Sequence, residues 1–106
     1  MINNPMIFFV TVPNIKVGEE LSVALVKSKI AACVNIVKEI TSIYAWKEKI
    51  EKDHECFLII KTTTDKTDEL IKYIENNHPY DTPECIGIKI EEGSRKYLDW
   101  ITSSVK

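Results

Sequence analysis

The feature that most constrains this chain is the stretch from Ile30 to Thr63, which carries two long strand patterns separated by a short turn. From Cys33 to Trp46 the β-branched and aromatic residues Val34, Ile36, Ile40, Tyr44 and Trp46 recur with period two, and the return arm from Ile50 to Thr63 closes on the apolar run Phe57-Leu58-Ile59-Ile60. An arm of about 13 residues reaches about 44 Å at roughly 3.4 Å per residue, whereas a covering helix of about 14 residues reaches only about 21 Å. Half of the ribbon is therefore expected to overhang its own domain. A two-stranded ribbon is marginal in water, and Tyr44 and Trp46 sit near its tip, so the overhang is expected to dock on another copy of the chain.

The 106 residues support one domain spanning 1–106, and 44% hydrophobic with 28% charged content belongs to an ordinary globular fold. A net charge of −2, with Lys and Glu spread evenly, argues against a nucleic-acid binder, which gathers a basic surplus on one face. Met1 to Pro5 lacks a basic leader region and the apolar run Met6 to Val12 is too short for a membrane span, so a cytoplasmic protein is expected. Cys33, Cys56 and Cys85 are an odd set without CxxC spacing, read as buried structural thiols.

Met6 to Val12 reads as a central strand buried on both faces. Pro13 ends it, and Asn14 is placed to cap a helix with Val17, Leu21, Ala24 and Leu25 on one side, whose start Gly18 weakens. The hairpin turn Lys47-Glu48-Lys49 lacks Gly, Asn and Asp, so either a non-glycine residue takes positive φ or the turn is wider. Asp65 to Asn77 forms a second helix with Leu70, Ile71 and Ile74 inward and Thr64 or Asp65 as cap, stopped by Pro79. Cys85 to Ile90 is a fourth strand with Ile86, Ile88 and Ile90 on one face. Ser94 then caps a last helix carrying Tyr97, Leu98, Ile101 and Val105. The order βαββαβ plus a C-terminal helix is an α+β, ferredoxin-like arrangement with both main helices on one face of an antiparallel sheet. Strands apolar on both sides imply that the second face is covered as well, which is a second argument for self-assembly.

The run Lys29-Ile30-Ala31-Ala32-Cys33-Val34-Asn35, then Tyr44-x-Trp46, Ile60-Lys61-Thr62, His78-Pro79-Tyr80-Asp81-Thr82-Pro83-Glu84 and Tyr97-Leu98-x-Trp100 resembles the CutA divalent-cation tolerance family. The resemblance covers roughly Val10 to Ile101 in order. It implies a homotrimer of ferredoxin-like subunits similar in architecture to the PII signalling proteins, closed by the long hairpins, with a link to copper and other divalent-metal tolerance and no established reaction. No cofactor is required on that view; Cu(II) or another divalent cation is the candidate ligand. The chain departs from the family pattern at Glu48, where similar proteins place Gly in the hairpin turn.

Copper ligation in the bacterial family is associated with a Cys at the end of the first strand and a His pair before Pro-Tyr. Those positions are Val10 and Asn77-His78 here, which leaves His78 as the one candidate metal ligand, set against a structural role in ending the helix. His54 and Cys56, two apart on one arm, make a soft-metal pair on paper and ordinary surface or packing residues otherwise. Lys61 and Glu84 fall where loops and strand ends gather; with Cys33, Trp46 and Tyr80 they are candidates to line a cleft between subunits that holds a small anion or metabolite, a structural interface ion pair being the alternative.

Two other classes share the strand order. An acylphosphatase-like hydrolase needs an arginine-bearing phosphate cradle after the first strand, but the one arginine, Arg95, opens the last helix. An RNA-binding module exposes aromatics on its central strands, and the second hairpin arm lacks the Lys/Arg-Gly-aromatic signature such modules carry. The residues favour self-assembly without nucleic-acid or membrane partners, and the resemblance implies a non-enzymatic homotrimer bearing a metal or a small ligand.

Overall fold

The computed structural model describes residues 3–105; Met1 and Ile2, on which part of the leader argument rests, lie outside them. Four strands, β1 (Pro5–Val12), β2 (Cys33–Trp46), β3 (Lys49–Thr63) and β4 (Ile86–Lys89), form one sheet in the order β2-β3-β1-β4, antiparallel at every pairing. Helices α1 (Ile15–Lys27), α2 (Thr67–Asn77) and α3 (Arg95–Ser104) complete the ferredoxin-like order expected from the sequence. No helix among the described residues is long and apolar enough to cross a membrane.

Strand alternation sorts the sheet into two faces. Phe8, Val10 and Val12 of β1 and Leu58 and Ile60 of β3 are at most 2% exposed and pack with Leu21 and Leu25 of α1 and Leu70 and Ile74 of α2. Ile7, Phe9, Phe57 and Ile59 point the other way and are only half-buried, so β1 is not enclosed on both faces within one chain. Along that second face α3 covers one end, where Leu98, Ile101 and Val105 meet Ala32 and Ile90. Val37, Ile86 and Ile88 remain exposed on the rest of it.

Local chemistry explains most element boundaries. Asn14 Oδ1 accepts the Val17 N–H at 2.9 Å, the expected cap of α1. Gly18 does not weaken the helix idly, since a Cβ there would meet Val12 at 3.2 Å and Leu58 at 3.4 Å; its absence lets α1 settle on the sheet. Ser94 occupies the expected N-cap position of α3 but makes no side-chain cap bond, and α2 does not take Thr64 or Asp65 as its N-cap. A 3₁₀ turn at Thr64–Lys66 leads into α2, whose N-terminal position is Lys66 without a side-chain cap, and Ser94 receives the Leu98 N–H on its backbone carbonyl rather than its hydroxyl. Asp68 and Glu69 in the first turn of α2 offset its exposed N–H groups instead.

The hairpin is as long as its sequence implied. β1 pairs with β3 only from Thr63 down to Cys56, so Lys49–Glu55 has β2 as its sole strand partner among the described residues, and the longest dimension of the molecule is 44 Å. Its turn is tight: Lys47 and Glu48 take φ of 50° and 66°, the two left-handed residues that a two-residue hairpin loop needs, without any glycine.

One irregularity reorganises the ribbon. Register runs Val37↔Phe57 and then Ile40↔Glu55, so Lys38 and Glu39 together oppose Cys56 in a β-bulge. Before the bulge Val34 and Ile36 face the helices. Beyond it Tyr44 and Trp46, though also even-numbered, lie opposite Glu51 and Lys49, on the face that carries Phe57 and Ile59. The period-two set read from the sequence therefore does not share one face.

Candidate functional site

The bulge places Tyr44 and Trp46 beside Asp53 and Glu55, and the loop after α2 brings Pro79, Tyr80, Asp81, Thr82 and Glu84 against them. Together with Thr11, Ser42 and Ile43 these residues enclose a groove of about 810 Å³. His78 fixes the loop. It is buried, its Nδ1 accepts the Tyr80 N–H at 3.1 Å, and its Nε2 lies 2.7 Å from the Thr11 carbonyl oxygen, to which it donates. An Nδ1 that accepts requires the Nε2–H tautomer, so both ring nitrogens are committed to the backbone.

The Tyr80 hydroxyl donates to Glu55 Oε2 at 2.6 Å, and the Tyr44 hydroxyl donates to Asp53. Burial, followed by the bond to Glu55, raises the Tyr80 phenol above its ordinary range. The bond to Asp53, with weaker contributions from burial and the Asp53, Glu51 and Glu55 charges, pushes Tyr44 up to about 12. Burial first and the Glu55 charge second raise Glu84. Burial, with Glu75 and Glu84, pushes the Cys85 thiol up to about 11, the opposite of an activated nucleophile.

The lining contains four carboxylate residues, Asp53, Glu55, Asp81 and Glu84, and no Lys, Arg or His. Glu55 is 8% exposed, yet the one ion pair among the described residues is Lys66 with Glu69, so none of their cations pairs with it.

Of the residues singled out from the sequence, Trp46, Tyr80 and Glu84 meet in this groove. Cys33 and Lys61 do not; they are cross-strand partners near the other end of the same face. There Lys61 Nζ donates to Asn35 Oδ1 at 2.8 Å and to the Tyr97 hydroxyl at 3.4 Å, and lies 5.5 Å from the Tyr97 ring centre. Within one chain Lys61 and Glu84 thus form no ion pair. His54 and Cys56 border a smaller recess of about 300 Å³ by the start of α1, where the Cys56 thiol donates to the Lys38 carbonyl at 2.9 Å. Cys56 is a buried thiol as expected, whereas Cys33 and Cys85 are only half-buried; all three are free. Among the described residues no three His, Cys, Asp or Glu side chains converge to hold a metal ion. Asp53 and Glu55 escaped the sequence argument because the bulge, which sets Tyr44 and Trp46 on their face, leaves no compositional mark. Their own two-residue spacing with Phe57 was the available signal.

A family model described as CutA1 divalent ion tolerance protein matches residues 6–104. The chloroplastic CutA protein of Arabidopsis thaliana is 44% identical over 101 residues, 95% of this chain and 56% of its own length. The chain thus spans little more than half of that relative. The divalent-cation tolerance protein CutA of Thermus thermophilus is 42% identical over 90% of this chain and 92% of its own. The crystal structure of CutA1 from Oryza sativa superposes with a TM-score of 0.95 at 42% identity, covering 97% of this chain and 94% of that one. The fold agrees with these comparisons, and the chain belongs to the CutA1 divalent ion tolerance family.

Proposed function

We propose that this chain works as a non-enzymatic, self-assembling binding module, a homotrimer whose ligand chamber is the groove between the distal hairpin and the His78–Glu84 loop. The observation that carries self-assembly is the uncovered apolar face: Ile86, Ile88 and Val37 are 60%, 56% and 42% exposed, and that face runs on into a ribbon whose Trp46 is 52% exposed. Burying one such aliphatic side chain contributes about 1.5–3 kcal/mol, so a shared face of several favours association. Light scattering should give three times the 12.2 kDa chain mass; a 12.2 kDa particle at micromolar concentration overturns the proposal.

The groove supports binding rather than catalysis, because its phenols have raised pKa values and hold their protons against carboxylates. A copper role at His78 has less support in this chain. Val10 offers no donor atom, the Asn77 amide donates to the Tyr73 carbonyl at 2.9 Å, and a metal on His78 would displace the Tyr80 N–H or the Thr11 carbonyl. His78 is instead the residue that holds Tyr80 over the groove. Titrating Cu(II) against the parent and His78→Ala discriminates the two: equal affinities fit the positioning role, and a tenfold loss restores the metal site.

A further inference from the structure

On that assignment of the groove as the ligand chamber, we infer that its ligand is a small organic cation, an ammonium or guanidinium group carried on an apolar stem. Glu55 carries this inference. It is a charged side chain more than nine-tenths buried, it borders the groove, one of its oxygens receives the Tyr80 hydroxyl, and no cation among the described residues stands within ion-pair distance. A buried carboxylate without a counter-charge is costly, and a ligand cation would remove that cost.

The rest of the lining fits the same chemistry. Tyr44, Trp46 and Tyr80 present three aromatic rings in one groove with Asp53, Asp81 and Glu84, the combination that stabilises a cation both through ring faces and through carboxylates. A volume of about 810 Å³ exceeds what a bare ion fills, and no three ligating side chains converge among the described residues, which favours an organic cation over an inorganic one. The lining holds no positive group to receive an anion, so the anionic ligand considered from the sequence does not suit it. Lys61, the cation expected to serve this site, is held at the far end of the face by Asn35 and Tyr97.

The test uses four probes of the assembled protein: butane-1,4-diamine, butane-1,4-diol, butanedioate and calcium ion. Affinity is read by calorimetry on the parent chain and by Trp46 fluorescence in a Trp100→Phe background. The diamine is expected to saturate a site that the diol and the dianion do not fill. Glu84→Gln and Glu55→Gln should each weaken it at least tenfold, while the solution mass stays that of the parent. Equal binding of diol and diamine overturns the charge assignment and leaves the chamber standing. Binding of calcium more tightly than the diamine, lost in the same variants, replaces the organic cation by an inorganic one. Diamine binding that arises only in a Lys61→Met chain means that a second copy's lysine fills the groove, which also overturns the inference. Silence from all four probes in parent and variants, with the assembly intact, overturns both the inference and the chamber.

Discussion

The two faces of the sheet are built from the same strands in strict alternation, yet they have different fates. On the helix side Phe8, Val10, Leu58 and Ile60 are sealed by α1 and α2, and even Gly87 serves that face, since a Cβ there would meet the Phe8 ring at 2.5 Å. On the other side α3 seals one end and the remainder, through Val37, Ile86 and Ile88, is left to solvent. The first face makes the subunit fold, and the second holds the apolar area and the polar groove on which the proposed assembly and ligand rest.

The largest effect should come from breaking the sealed face. Phe8→Ala is expected to cost about 3–5 kcal/mol in denaturant unfolding, because the cavity lies where neither helix can close it. The contrast sharpens with the double substitution Ile86→Glu and Ile88→Glu. It should reduce the solution mass to that of one chain and lower apparent stability by about 1.5–3 kcal/mol per lost contact at micromolar concentration, while far-ultraviolet circular dichroism of the subunit persists. Unfolding of the isolated subunit would show that the open face belongs to the fold and not to assembly.

At the hairpin tip Glu48→Gly relieves a left-handed non-glycine residue at φ 66°, and a gain of about 1 kcal/mol is expected from thermal unfolding. A loss would place the tip of the ribbon in a contact that needs the glutamate. The smallest effect is a pH dependence. Glu84 has a folded-state pKa raised above its ordinary 4.5, so over the interval from 4.5 up to that value the folded chain holds more proton than the unfolded one. Its contribution to stability is present below that interval and declines as pH rises through it. Glu84→Gln should flatten this part of the stability–pH curve, and an unchanged slope removes the effect.

Much of this was legible in the residues. Period-two and helical spacing gave the element order, the apolar content of Met6–Val12 and Phe57–Ile60 showed that both faces of the central strands are apolar, and Pro79 ended α2. The site was legible only in part. Trp46, Tyr80 and Glu84 belonged together, but Lys61 and Cys33 did not join them, because their cross-strand register fixes them beside Asn35 at the opposite end. His78 stood out as a side chain rich in possibilities, and only its two backbone partners show how its ring is spent. Glu55 looked like one more strand acid; its burial depends on Tyr80, which lies 25 positions away along the chain.

The extra residue at Lys38-Glu39 has a further consequence. It acts as a phase shift in the inside–outside code of β2, so that the proximal half of the strand is written for the subunit core and the distal half for the world beyond it. Removing one residue there would leave length, composition and nearly every side chain in place, yet turn Tyr44 and Trp46 to the reverse of the ribbon. A single codon thus decides whether the two rings stand over the groove beside Asp53 and Glu55 or behind it.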